Sequence, residues 1–245
     1  EEEEFKLLPE RIEEKITDRT KLIIINSPCN PTGTVLNKRD LKNIADICLE
    51  NEIFVISDEI YEKIIFGEKH ISIASLPEMK KITITVNGFS KAYSMTGFRL
   101  GYAAAPEEII NAMKKIQEHS VSCATSFVQK SGVIALREKQ KEVEMMVREF
   151  RKRRDKLMDL LLEIPEVSCV TPKGTFYAFP NFSFYSNNSI KFAKYLLEKA
   201  KVATIPGVAF GKCGEGFLRI SFATSLDKIV EGIERIERTL RGWKQ

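Results

Sequence analysis

The sequence has little of what would mark a disulfide scaffold, a zinc module, a membrane protein or a nucleic-acid binder. Its five cysteines (Cys29, Cys48, Cys123, Cys169 and Cys213) are scattered, odd in number and never spaced as CxxC. That argues against a disulfide framework or a zinc site and fits a reducing compartment. No apolar run approaches the roughly 18–20 residues needed to span a bilayer. Residues 1–4 are all glutamate, where a signal peptide would open basic and then turn apolar. They read as a solvated surface turn or a cut end rather than an acidic interaction tail. A soluble cytoplasmic protein is the expectation, with no membrane and no nucleic-acid partner, since the net charge of +4 comes without a long basic run. The two histidines, His70 and His119, belong to no motif and read as surface or helix residues. There is no internal repeat and no low-complexity linker.

What is there is an ordinary globular chain of 245 residues, 43% hydrophobic and 29% charged, long enough for one large domain or two small ones. The first half alternates strand and helix. Apolar runs at 22–26, 53–57, 82–86 and 99–105 are separated by helical patterns such as 39–51, which suggests a parallel sheet covered on both faces. A helix is expected from Pro106, a favoured first position, another over about 125–137, and a long amphipathic one over about 138–163. The apolar stripe of the long helix is Val143, Val147, Phe150, Leu157, Leu161 and Ile164. The remainder reads as α+β, with a helix at 189–200 and a last helix burying Ile229, Ile233, Ile236, Leu240 and Trp243. The expected fold class is therefore α/β, a mostly parallel sheet flanked by helices with a smaller α+β C-terminal domain. The expected divisions are 1–137 for the larger domain, 138–164 for a bridging helix and 165–245 for the smaller domain.

The first three runs each end in polar residues: Asn26–Asn30, Asp58 with Glu59, and Asn87–Lys91. Open α/β sheets bind ligands beyond the carboxyl ends of their strands, so an amide, a carboxylate and an amine there read as one site. In NGFSKAYSMTGFRLGY (87–102), Lys91 follows a buried strand and Arg99 lies eight residues on. A partly desolvated amine can form a Schiff base with an aldehyde, and an arginine can clamp a dianionic phosphate through parallel hydrogen bonds. Both suit pyridoxal 5'-phosphate. Met95 and Phe98 are expected to pack around the Lys91–Arg99 turn. Asp58, in SDEIYE (57–62), ends a buried strand, where an unpaired carboxylate would be costly. Arg219, in GFLRISFA (216–223), lies in an apolar run and calls for an anion.

The 87–102 segment resembles the cofactor-lysine signature of the class I aminotransferases of the aspartate/aromatic type, fold type I. NSPCNPTG (26–33), SDEIYE and GFLRISFA resemble further motifs of that family. IPGVAFG (205–211) and GTFYAFP (174–180) resemble its segments beside the substrate and in the small domain, without a chemical role assigned. The resemblance implies a transaminase acting on aspartate or an aromatic amino acid with 2-oxoglutarate. It implies Lys91 as the covalent cofactor residue and Asp58 on the pyridine nitrogen. Asn30 and Tyr61 would meet the phenolic oxygen, Arg99 with Ser90 would stand at the phosphate, and Arg219 would hold the substrate carboxylate beside Asn30. Pro28 and Pro31 stiffen their loop and either could be cis.

The resemblance also implies a homodimer. It further implies that a segment belonging to the same polypeptide precedes residue 1, so that the 245 residues alone would expose core surface, bind the cofactor poorly and lack activity. One position departs from the pattern: many relatives carry serine or threonine three residues before the lysine, where this chain has Gly88. Two other readings share these residues. One is a lyase on the same cofactor, acting by β-elimination or carbon–sulfur cleavage; the other is a cofactor-binding sensor domain of a transcription regulator.

Overall fold

The computed structural model describes residues 1–67 and 69–243. Two compact units share the chain: Lys6–Pro28 with Val35–Glu144, and Glu1–Phe5 with Cys29–Thr34 and Met145–Gln245. No helix among the described residues is long and apolar enough to cross a membrane, and none of the five cysteines is in a disulfide.

The first unit runs α1 (Pro9–Glu13), β1 (Leu22–Asn26), α2 (Lys38–Glu50), β2 (Phe54–Asp58), β3 (Thr83–Gly88), β4 (Gly101–Ala104), α3 (Glu107–Ser120) and α4 (Ser126–Arg137). The helix starts follow local chemistry. Asn37 accepts from the backbone amides of Arg39 and Asp40, and Asp40 accepts from that of Asn37, a reciprocal cap. The sheet order is β1-β2-β3-β4. β1, β2 and β3 are parallel, in a register that sets Asn26 beside Asp58 and Asp58 beside Val86.

β4 pairs antiparallel with β3, the exception in the expected mostly parallel sheet. The link between them, 89–100, holds only a single short turn of helix, whereas a parallel neighbour is usually reached through a crossover helix. Gly88 and Gly101 are register partners. A Cβ on Gly88 would come within 3.1 Å of the Leu100 carbonyl and 3.2 Å of the Gly101 Cα. Glycine at 88, the departure noted above, is what lets these backbones close.

The sheet buries one face. Ile25, Val55 and Ile53 pack with Leu41, Ile44, Ala45 and Cys48 of α2 and with Ile73 and Met79. Burial pushes the Cys48 thiol up to about 11, which leaves it a packing group. The opposite face, carrying Leu22, Ile24 and Phe54, is open among the described residues, with Ile24 64% exposed. Period-2 alternation puts half of the strands' apolar side chains on that side, and their exposure is the exposed core surface expected of these residues by themselves.

The second unit is built on α5 (Lys141–Leu162), whose residues from Met145 belong to it, followed by β5 (Tyr177–Ala178), α6 (Ser189–Lys199), β6 (Ile205–Pro206), β7 (Leu218–Ser221) and α7 (Leu226–Leu240). The antiparallel order is β5-β7-β6. Phe150, Leu157 and Leu161 of α5, Phe182, Leu196, Phe222 and the Ile229–Ile233–Ile236–Leu240 stripe of α7 are buried. Trp243 lies beyond the end of α7 rather than on it. Its indole N–H donates to the Tyr185 carbonyl at 2.7 Å and its ring meets Tyr195 at 4.3 Å. Phe5 also packs edge-on against Phe179 and Phe217.

In the loop 29–34, Gly33 makes a turn at φ +73°. Its N–H donates to Cys29 O, and its carbonyl accepts from Lys173 and Gly174. A Cβ there would sit 2.5 Å from Pro172 Cβ. Gly33→Ala combines a left-handed backbone with that overlap and is expected to destabilise this unit by about 2–4 kcal/mol. Urea unfolding of the variant checks this, and a loss below about 0.5 kcal/mol would contradict it.

Candidate active site

In the first unit, the carboxyl ends of β1, β2 and β3 lie side by side, and Asp58, Tyr61 and Lys91 follow the ends of β2 and β3. The Asp58 carbonyl accepts from the Ser27 N–H at 3.3 Å and from the Asn26 amide at 3.2 Å. Its carboxylate accepts from the Ile60 N–H at 3.2 Å. No helix starts at this point, so Asp58 steadies a turn, and its carboxylate is half-buried at the strand end. Tyr61, on that turn, is 3% exposed. Lys91, three residues past β3, places its Nζ 5.7 Å from the centre of the Tyr61 ring. An acid, a phenol and an amine thus come from two adjacent parallel strands.

The segment after Lys91 is a tight excursion. Thr96 Oγ1 donates to the Ser90 carbonyl at 2.9 Å, and Arg99 Nη1 donates to the Thr96 carbonyl at 2.8 Å. Arg99 adopts a left-handed backbone, φ +54°, and its exposed guanidinium lines a groove of about 750 Å³ with Ser94, Gly97, Gln117, Thr125 and Phe127. Met95 is half-buried in this excursion, whereas Phe98 is 45% exposed and also lines that groove.

The second unit holds the other two predicted residues, and it brings them together. Arg219, on β7, donates from Nη1 to Asn30 Oδ1 at 2.8 Å. Its guanidinium carbon lies 4.2 Å from the Tyr177 ring centre and 5.0 Å from that of Phe210. Two aromatic faces and one amide therefore hold the guanidinium plane, the arrangement that favours arginine over lysine. Tyr177 and Phe210 are site residues that sequence reasoning missed. Both lie in segments noticed for their resemblance, GTFYAFP and IPGVAFG, but nothing in their spacing tied them to Arg219. Ser27–Pro28 and Asn30–Pro31 are both cis.

A second omission is His70, which is neither a surface nor a helix residue. Its imidazole is 14% exposed and its Nε2 lies 2.8 Å from Oε2 of Glu59. Glu59 is 3% exposed, and its other oxygen accepts from Ser57 at 2.9 Å and Ser72 at 2.6 Å. Burial pushes the Glu59 carboxyl upward. The hydrogen bonds from His70, Ser72 and Ser57, with the charge of His70, outweigh it and leave the carboxyl below its ordinary value. Glu62 brings an oxygen within 4.8 Å of the other two, but protein donors already satisfy Glu59. His119, by contrast, is exposed in the last turn of α3, as expected.

A family model described as aminotransferase class I and II matches residues 1–236. The aspartate aminotransferase of Pyrococcus abyssi is 48% identical over 244 residues, covering 98% of this chain and 62% of its own length. The aromatic-amino-acid aminotransferase 2 of Thermococcus litoralis is 43% identical over 244 residues, with the same two shares. The chain superposes on the crystal structure of an aromatic aminotransferase from Pyrococcus horikoshii with a TM-score of 0.96 at 47% identity, covering 98% of this chain and 65% of that one. It spans about 62% of the length of the curated relatives it matches.

Proposed function

Because the chain belongs to the class I and II aminotransferase family, we propose that the polypeptide carrying it moves an amino group between an amino acid and a 2-oxo acid with pyridoxal phosphate as cofactor. Aspartate or an aromatic amino acid is the donor and 2-oxoglutarate the acceptor. The relatives carrying those names support this choice of substrate. The observation that carries the reading is the cluster at the ends of β2 and β3, where Lys91 Nζ stands over the Tyr61 ring beside a backbone-anchored Asp58.

That donor set fits the cofactor: an amine for its aldehyde, a carboxylate for its pyridine nitrogen, a phenol for its phenolic oxygen. When bound, pyridoxal phosphate supplies a carbonyl that captures amines and a ring that accepts the electrons released at the substrate Cα. Lys91 would hold it covalently and, as a general base, take the proton from the substrate Cα. Asp58 would keep a proton on the ring nitrogen, since an anion beside that nitrogen favours its charged form. Tyr61 and Asn30 would donate to the phenolic oxygen, and Arg99 with Ser90 would stand at the phosphate. Arg219, steadied by Tyr177, Phe210 and Asn30, would take the substrate α-carboxylate. The whole polypeptide would act as a homodimer, as its family membership suggests. It would be soluble and cytoplasmic, a setting its free thiols suit.

A panel of amino donors with 2-oxoglutarate, run on the full-length polypeptide, tests this. Aspartate or an aromatic donor should give glutamate and the matching oxo acid in equal amounts. Release of ammonia or thiol without glutamate would transfer the site to a lyase. Cofactor binding without any turnover would transfer it to a sensor.

A further inference from the structure

Glu59 takes no part in the chemistry proposed above, yet it is the most buried acid beside Asp58. At a strand end, successive side chains point to opposite sides, so fixing one member of the Asp58–Glu59 pair fixes the direction of the other. The backbone is pinned at both members: the Asp58 carbonyl accepts from Ser27 and Asn26, and the Glu59 N–H donates to Val86 O at 2.9 Å. From Glu59 the chain turns through Tyr61 and returns at His70 and Ser72, which grip the same carboxylate. The turn is braced inside as well, by Glu62 N–H to Glu59 O and Ile64 N–H to Tyr61 O. The carboxylate therefore closes the loop that carries Tyr61 and sets the residue that precedes it.

We propose that Glu59 and His70 are positioning residues, a buried pair that fixes how Asp58 and Tyr61 are presented to the cofactor. The proposal rests on the reading of Asp58 and Tyr61 as cofactor contacts. Removing His70 takes one of three side-chain donors from a buried carboxylate. Such a group gains a proton or swings toward water, and either response loosens the loop that follows Asp58 and carries Tyr61. Ser72 acts through the same carboxylate with a single neutral hydrogen bond, so its loss should matter less.

The test uses the full-length polypeptide and pyridoxal phosphate itself. Its readouts are the cofactor dissociation constant, the pH midpoint of the bound cofactor's absorbance, and the melting temperature without cofactor. His70→Leu should raise the dissociation constant about tenfold and shift the absorbance midpoint. His70→Gln, which keeps a donor near the Nε2 position, should bring the dissociation constant to within about 1.5-fold of the parent and return the midpoint to the parent's. Ser72→Ala should raise the dissociation constant about two- to threefold and shift the midpoint in the same direction by less, and it decides the matter if His70→Leu does not fold.

Asp58→Asn separates the two levels. If Asp58→Asn weakens binding while His70→Leu and Ser72→Ala bind like the parent, the positioning role is overturned and the site reading stands. If Asp58→Asn also binds like the parent, with an unchanged midpoint, the site reading falls and the positioning role with it. A fall in melting temperature with unchanged cofactor readouts would make the pair purely structural and would overturn the proposal.

Discussion

Lys91→Ala, made in the full-length polypeptide, is expected to reduce turnover by about 10³-fold or more, since one substitution removes both the covalent attachment and the proton carrier. The chemistry gives a second readout. Hydride reduction followed by intact-mass measurement should trap pyridoxal phosphate on the parent and none on the variant. The visible absorbance of the bound cofactor should change as well. Asp58 remains in place, held by Ile60, Ser27 and Asn26, so non-covalent cofactor binding should survive. Turnover within about tenfold of the parent would remove Lys91 from the chemistry, and trapping at another lysine would relocate the site.

Arg219 carries the second large effect. Its guanidinium lies 4.2 Å from the Tyr177 ring centre and 5.0 Å from that of Phe210 and donates one N–H to Asn30, contacts that fix its plane. Truncating one partner of a hydrogen-bonded charge pair costs about 2–5 kcal/mol. Arg219→Ala should therefore lower kcat/KM for amino acids by about 10²–10³-fold, with the cofactor dissociation constant nearly unchanged. Arg219→Lys should recover little of the loss, because an ammonium offers neither the fork nor the flat face that two rings flank. A loss in cofactor affinity as large as the loss in kcat/KM would show that Arg219 supports the fold or the cofactor rather than the substrate.

Much of the molecule was legible because it is written in local pattern. Apolar runs of about five residues ending in Asn26, Asp58 and Asn87 became three parallel strands with their polar ends abreast. The 3.6-residue stripes of α5 and α7 became buried faces. What failed depended on groups distant in sequence. The antiparallel direction of β4 follows from a link that holds no crossover helix, which hydrophobic periodicity does not encode. Trp243 continued the spacing of α7 but lies past the end of the helix. His70 carried no signal because its partner is eleven residues back, at the end of a strand. Tyr177 and Phe210 meet Arg219 only because β5 and β6 flank β7 in the sheet.

The sequence by itself determined the periods of burial and the identities of the amine, acid and guanidinium. Those are properties of neighbours within a few residues, or of a side chain's own chemistry. Tertiary structure alone decided that Glu59 is gripped by His70 and Ser72, that Arg219 is flanked by two rings, and that Lys91 stands over Tyr61. Each of those contacts needs two segments brought together against chain entropy, and only the packing of the folded units supplies the free energy to hold them.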